Sequence, residues 1–254
     1  MLEQYSAKTR CLPLQTLYNV RDLGGYLALD GCRTVSGRFL RADAPVRLNQ
    51  YDRQLLLHYP VRTVIDLRSQ SELRQQPHNL KDCSEISYFN IPLLGDELDG
   101  EIAMLKQQKT GDRAIDLSDL YMYILDNAHQ AIGKVMNCLA NAPEGACFFN
   151  CSHGKDRTGL IAALLLLLAG VSEEDVIDDY KISHALLKPW FDTFIDQIPS
   201  EDRIFFNTNP ENMQRTLRHF YRQYQSAESY INYCGVHPAT IAGLKTKLLV
   251  PCGL

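Results

Sequence analysis

The stretch FFNCSHGKDRTGLIAALLLLLAG, residues 148–170, sets a cysteine where one apolar run ends and an arginine where the next begins. Five residues separate Cys151 from Arg157. Between a strand and a helix, a loop of that length curls so that successive backbone N–H groups point inward. Such a nest binds an oxyanion, and the helix N-terminus beneath it adds a positive end. Gly154 permits a backbone conformation that a side chain opposes. Arg157 chelates two phosphate oxygens with its planar fork, a match that Lys lacks. Cys151 then lies against the phosphorus, and the same dipoles favour its nucleophilic thiolate. The spacing predicts a phosphate cradle made by Ser152, His153, Gly154, Lys155 and Thr158, with the hydroxyl of Ser152 or Thr158 orienting the thiolate or its water.

Blander readings exist for both ends of the loop. Cys151 is then a buried inert thiol, which its polar, glycine-rich setting argues against. Arg157 is then a helix-start residue paired with Asp156. A Walker loop needs GxxxxGK[ST], and Asp156 fills the hydroxyl position after Gly154-Lys155.

CxxxxxR followed by Thr resembles the signature of cysteine-dependent protein tyrosine phosphatases. The fuller form CxxGKDRTG is similar to that of the bacterial and fungal tyrosine/serine phosphatase family, whose members include secreted phosphatases of pathogens with lipid-phosphatase activity. NVRDLGGY, residues 19–26, resembles the family's NxRDLGG(Y) start. TVIDLR, residues 63–68, followed by Glu72, resembles its second block, and PENM…YRQY…SAESY near residues 210–230 agrees as well. The resemblance runs from about residue 15 to the C-terminus. One position departs: the family usually has His directly before the nucleophile, and this chain has Asn150.

The resemblance implies metal-free, two-step phosphoryl transfer. Cys151 attacks phosphorus, water hydrolyses the phosphocysteine, and Arg157 with the loop N–H groups stabilises the developing charge. Asp156 is then the acid that protonates the leaving group. The alternative for Asp156 is a plain ion pair to Lys155 or Arg157, with Asp66, Asp96 and Asp99 as fallback acids. Lys155 and His153 add positive character at the mouth, and Lys155 suits phosphoinositides; a solvated lysine is the competing reading. Arg21 and Asp22 either buttress the cradle or stabilise the turn before Gly24-Gly25, and the structural role is preferred. Asp66 and Arg68 line the site wall or form a local ion pair, and the pair is preferred. No cofactor is implied, and the remaining histidines have no metal-ligand spacing.

The expected substrates are phosphorylated proteins, phosphotyrosine first, with phosphoserine, phosphothreonine and phosphoinositides as further candidates. Two other classes share the loop logic. A catalytically weak phosphate-binding module draws its only support from Asn150. An arsenate-reductase-like thiol enzyme needs a second, resolving thiol, and Cys147 on the preceding strand is not obviously placed for it.

These residues need elements to hold them. VRTVIDL, residues 61–67, reads as a buried strand, as do residues 86–92 and 146–150. Residues 37–40 are a further β-like piece. Residues 50–58, 158–169, 210–224 and 238–249 read as helices, and 99–140 as mostly helical with a break near Gly111. Ser172 caps another helix, with Glu173, Glu174 and Asp175 where the helix dipole favours acids. Strands alternating with helices give an α/β fold with a largely parallel central sheet flanked by helices, like the cysteine phosphatases. In such sheets, sites form at the carboxyl ends of strands, where Cys151 stands. No linker divides the chain, so residues 1–254 are read as one domain, with a helical lid or insertion around 95–119.

The 254 residues carry a net charge of −4, which excludes the basic footprint of a nucleic-acid protein. Any anion site must therefore focus positive charge locally. Eight scattered cysteines without a CxxC pair read as reduced thiols. The N-terminus lacks a signal-peptide pattern, and the apolar run at 160–169 is far shorter than the ~18 residues of a membrane span, so it reads as a helix buried on all sides. A cytoplasmic location is the default, with secretion lacking a recognisable signal left open. The sequence carries no signal for an oligomeric state.

Overall fold

The computed structural model describes residues 10–95, 115–200 and 203–250. A five-stranded sheet forms the centre, from β1 (Arg21–Asp22), β3 (Phe39–Ala42), β4 (Val61–Asp66), β5 (Ser87–Asn90) and β6 (Ala146–Asn150), in the order β1-β3-β6-β4-β5. All neighbours run parallel except β1 and β3. This is the expected α/β architecture. β2 (Arg33–Thr34) pairs apart from it with β7 (Leu249–Val250).

The helices are α1 (Gln50–His58), α2 (Gln70–Gln75), α3 (Leu117–Asn127), α4 (His129–Asn141), α5 (Arg157–Leu168), α6 (Glu173–Phe191), α7 (Pro210–Tyr224), α8 (Ala227–Tyr233) and α9 (Pro238–Leu248). Ser172 caps α6 through Asp175 N–H, as its sequence setting predicts. α2 and α8 are absent from the sequence reading. The segment read as a lid lies mostly outside the described residues, as do Asp96 and Asp99.

The central strand β6 is buried at all five positions, and its side chains alternate between two cores. Ala146 and Phe148 face the core shared with α1, Leu40, Val61 and Val64. Cys147 and Phe149 face the larger core, with Cys151 and α3, α4 and α5. α5 buries eleven of its twelve residues, so the helix behind the loop is apolar all round. Its N-terminus is fixed directly beyond the end of β6. Among the described residues no helix is long and apolar enough to cross a membrane. The reading of eight reduced thiols is corrected at Cys32, which is disulfide-bonded.

Candidate active site

Residues 151–156 connect β6 to α5 as one tight loop. Cys151 is 2% exposed at its floor. Gly154 has φ +67, and a Cβ there would stand 2.4 Å from the backbone C and O of Ala42, so no other residue fits. The loop's carbonyls are pulled outward by three different donors. Ala44 N–H donates to Ser152 O at 3.2 Å. Asn19 Nδ2 donates to His153 O at 2.9 Å, and Arg41 Nη2 to Gly154 O at 2.8 Å. Peptide units whose carbonyls are engaged in this way turn their N–H groups to the opposite side, an arrangement that suits an anion nest.

Arg157 opens α5. Its Nη1 and Nη2 donate to the two carboxylate oxygens of Glu72 at 2.6 and 2.7 Å. Ser152 Oγ donates to the same carboxylate at 2.5 Å. Glu72 is held in turn by the capping box of α2, accepting from Ser69 N–H while Ser69 Oγ takes Glu72 N–H. Burial would raise the Glu72 carboxyl, but the bonds from Arg157 and Ser152 and the arginine's charge outweigh it and hold it down to about 2. Arg157 is raised despite burial, by its hydrogen bonds and charge pairing with Glu72 above all. A guanidinium has five N–H donors, so an arginine fixed by one carboxylate keeps donors for a phosphate.

Asp156 accepts from Tyr121 Oη at 2.5 Å and from Lys155 Nζ at 2.9 Å, and Tyr121 also bonds Tyr180 at 2.9 Å. Burial pushes its carboxyl up, yet the Lys155 charge and the two hydrogen bonds leave it below the usual value. Lys155 is fully buried and also reaches Asn207 O at 3.1 Å, so it is not the solvated lysine of one sequence reading. Nor does His153 add charge at the mouth. Its ring packs against Trp190 at 5.0 Å, Phe191 at 5.7 Å and Phe206 at 6.3 Å, and burial there lowers it to about 4, so it is neutral at pH 7. Tyr18 stacks on Trp190 at 6.4 Å, extending an aromatic wall beside the loop.

The remaining predicted residues fall around this loop. Arg21 is buried and joins Asp179 Oδ1 at 2.9 Å, Ser183 Oγ at 3.0 Å and Asn19 Oδ1 at 2.5 Å. Asp179 also pairs with Arg41, and the two arginines hold its carboxyl far below normal against the opposing effect of burial. Arg21 thus acts on the loop through Asn19, Asp179 and Arg41. Asp22 does hold turns: it takes Gly24 N–H and Gly37 N–H at 2.6 Å each, and Tyr59 Oη. Asp66 and Arg68 form a buried pair at 2.7 Å, braced by Tyr88 Oη at 3.1 Å, and their side-chain hydrogen bonds go to each other, to Tyr88 and to Gln76 O rather than to the loop. This is the local ion pair, not the site wall. Thr158 Oγ1, in the first turn of α5, is buried without a hydrogen-bond partner.

Four residues that work on the loop had no role in the sequence reading: Asn19, Arg41, Glu72 and Asp179. Asn19 and Glu72 stand inside the quoted family blocks, and Ser69-Gln70-Ser71-Glu72 is a legible capping box. Arg41 and Asp179 carry no local signal, because each acts across more than a hundred residues. Among the described residues no group of three or more His, Cys, Asp or Glu could hold a metal ion.

A model of the tyrosine phosphatase family matches residues 12–250. A tyrosine-protein phosphatase from Nostoc commune is 30% identical over 223 residues, covering 83% of this chain and 74% of that protein. A relative from Cupriavidus necator, also named as a tyrosine-protein phosphatase, is 27% identical over 171 residues, covering 66% of this chain and 61% of its own length. Among solved structures, P. aeruginosa TpbA in complex with pTyr matches at 15% identity with a TM-score of 0.30, over 74% of this chain and 89% of that one. That superposition is too loose to carry an argument.

Proposed function

The chain belongs to the tyrosine phosphatase family, and from that premise we propose that it hydrolyses phosphotyrosine monoesters through a phosphocysteine on Cys151. The observation that carries the reading is the loop itself: three carbonyls tied outward, Cys151 at the floor and Arg157 closing the ring. In the first step the Cys151 thiolate attacks phosphorus in line as the ester P–O bond breaks. Loop N–H groups and Arg157 take up the equatorial charge. Asp156 gives its proton to the leaving oxygen. In the second step Asp156, now a carboxylate, takes a proton from water as its oxygen attacks the phosphocysteine; the S–P bond breaks, phosphate leaves, and the thiolate returns.

Asp156 must be protonated for the first step, whereas Lys155 and Tyr121 favour its carboxylate. A phosphate dianion in the cradle supplies the like charge that raises it. The unpartnered Thr158 hydroxyl is available to the sulfur as it becomes anionic. The loop supplies the charge stabilisation without a metal ion, so turnover is read as metal-independent.

Phosphoserine, phosphothreonine and phosphoinositides fit the same cradle as slower substrates, since alkoxides leave less readily than phenoxide. Lys155 is committed to Asp156 and Asn207, which supports phosphotyrosine before phosphoinositides. The aromatic wall of Tyr18 and Trp190 supports the same order. A resolving-thiol enzyme has less support: Cys147 is buried and pushed up to about 12 by burial first.

The decisive test is hydrolysis of p-nitrophenyl phosphate by wild type and Cys151→Ser with EDTA present, together with mass spectrometry of the acid-quenched enzyme. Expected are turnover in wild type alone and phosphate on the Cys151 peptide. A folded, reduced wild type without turnover overturns the reading.

A further inference from the structure

Asp156 stands at the N-cap of α5, where an aspartate ordinarily turns its carboxylate onto the first helical N–H groups. This one makes no such cap. Its carboxylate is turned to other donors, and both of them end on the same oxygen. Tyr121 Oη donates to Oδ1 at 2.5 Å, and Lys155 Nζ lies 2.9 Å from Oδ1. Among the described residues no hydrogen bond ends on Oδ2.

Tyr121 has one hydroxyl proton, and Asp156 takes it, because a carboxylate only accepts. Tyr180 Oη, 2.9 Å away, is then the donor to Tyr121. The hydrogen bonds therefore run in one direction, from Tyr180 on α6 through Tyr121 on α3 to Oδ1. The two rings meet edge-on at 5.9 Å and both are buried, so neither hydroxyl swings out to water. Each bond in such a chain polarises the next, which strengthens the last in a buried setting. Lys155 is closed off from solvent as well, whereas the Asp156 side chain keeps 21% of its surface exposed. A proton on Oδ1 would compete with two donors for the same oxygen, and a proton on Oδ2 leaves both bonds intact.

We propose that Tyr121, oriented by Tyr180, is a positioning residue for the general acid: with Lys155 it reserves Oδ1 as an acceptor, so that Asp156 carries and delivers its proton on Oδ2. The proposal rests on the reading of Asp156 as the acid and deepens it. In the first step the proton leaves Oδ2 for the ester oxygen as the P–O bond breaks, and the new carboxylate is held by two bonds already in place. In the second step Oδ2 takes a proton from water as the water oxygen attacks phosphorus and the S–P bond breaks.

The test compares two substrates of the full chain whose leaving groups differ in basicity. The phenoxide of phosphotyrosine is the base of an acid with pKa about 10 and needs the proton, whereas the leaving group of p-nitrophenyl phosphate is a far weaker base. Tyr121→Phe keeps the ring and removes only the hydroxyl. It is expected to lower kcat/KM for phosphotyrosine about tenfold and for p-nitrophenyl phosphate by no more than about threefold, a share of the 10²–10⁴ that a positioned acid supplies. Competitive inhibition by inorganic phosphate should stay at the wild-type level, because the cradle is untouched. In an Asp156→Asn background Tyr121→Phe should add nothing, and Tyr180→Phe should act in the same direction as Tyr121→Phe by a smaller factor. Equal losses on the two substrates from folded Tyr121→Phe, or a loss as large in Asp156→Asn as in wild type, overturn the proposal. Should Tyr121→Phe not fold, a Tyr180→Phe variant that slows both substrates equally, or neither, overturns it as well. Asp156→Asn alone keeps the two readings apart. Equal losses there overturn the acid reading and the proposal with it, whereas a selective loss that the Tyr121 variant does not share overturns the proposal alone.

Discussion

Glu72 gives the arginine of the loop its orientation before any substrate arrives. Both guanidinium nitrogens of Arg157 meet its carboxylate, and Ser152 adds a third bond from inside the loop. Glu72→Gln loses the charge and one acceptor while keeping the shape. Removing one stabilising contact to a developing charge costs on the order of 10²–10³ in rate, and this change acts one residue further back, so about 10–100-fold in kcat/KM is expected. A variant within twofold of wild type would show that Arg157 orients without its clamp. Asp156 makes a different prediction, because its role depends on the leaving group. Phenoxide leaves as the base of an acid with pKa about 10, whereas an alkoxide is far more basic and needs the proton more. Asp156→Asn should therefore slow phosphoserine hydrolysis more than p-nitrophenyl phosphate hydrolysis. Equal losses would leave Asp156 as the ion-pair partner of Lys155 and nothing more.

The loop works only because strand, turn and helix are locked together, and Gly154 is where they are closest. An alanine there would have to hold φ +67 with its Cβ against the backbone of Ala42. Strain of this kind costs about 1–3 kcal/mol before the clash is counted. Gly154→Ala should lower thermal stability and weaken inorganic phosphate binding together, measured by calorimetry; stable protein with wild-type phosphate affinity would show that β3 gives way. The elements of this lock were legible to different degrees. β6 is a short apolar run ending at a polar residue, and α5 is a continuous apolar run behind a glycine, so composition alone marks both. α7 has sharply divided polar and apolar faces, and α1 and α7 both have side-chain caps at their starts. α2 was not found because it has six residues and buries none of them, so hydrophobic periodicity has nothing to report. Its capping box was the available signal. The outward pull on the carbonyls was invisible for another reason: Asn19 reaches His153 and Arg41 reaches Gly154 through the fold, and spacing within the loop says nothing of what stands behind it.

At the scale of the whole molecule, the same burial that builds the site makes the fold sensitive to acid. His78 and His153 are both held near 4 by desolvation, below the value of about 6.5 for an exposed imidazole. An unfolded chain therefore takes up two protons on these rings as pH falls from about 6.5, which the folded chain refuses until about 4. Their contribution to stability is present in full above the unfolded value and is lost as pH falls to the folded one. Asp43 opposes them. Burial raises it to about 6, so the folded chain gains a proton there that the unfolded chain takes only nearer 4. Glu72 acts lower still, because its clamp is lost only as pH falls through about 2. Wild-type stability alone thus mixes groups of opposite sign, and a difference measurement separates them. His78→Gln keeps a donor for Asn150 and removes one titrating ring. The unfolding free energy from its urea titration, subtracted from that of wild type, should be flat above pH 6.5 and should move in favour of the variant between about pH 6.5 and 4, by up to about 1.4 kcal/mol per pH unit. A difference that stays constant through this window would mean that His78 is protonated in the folded chain. The bond from His78 Nε2–H to Asn150 Oδ1 would survive that, but the Leu80 N–H would lose His78 Nδ1 as its acceptor.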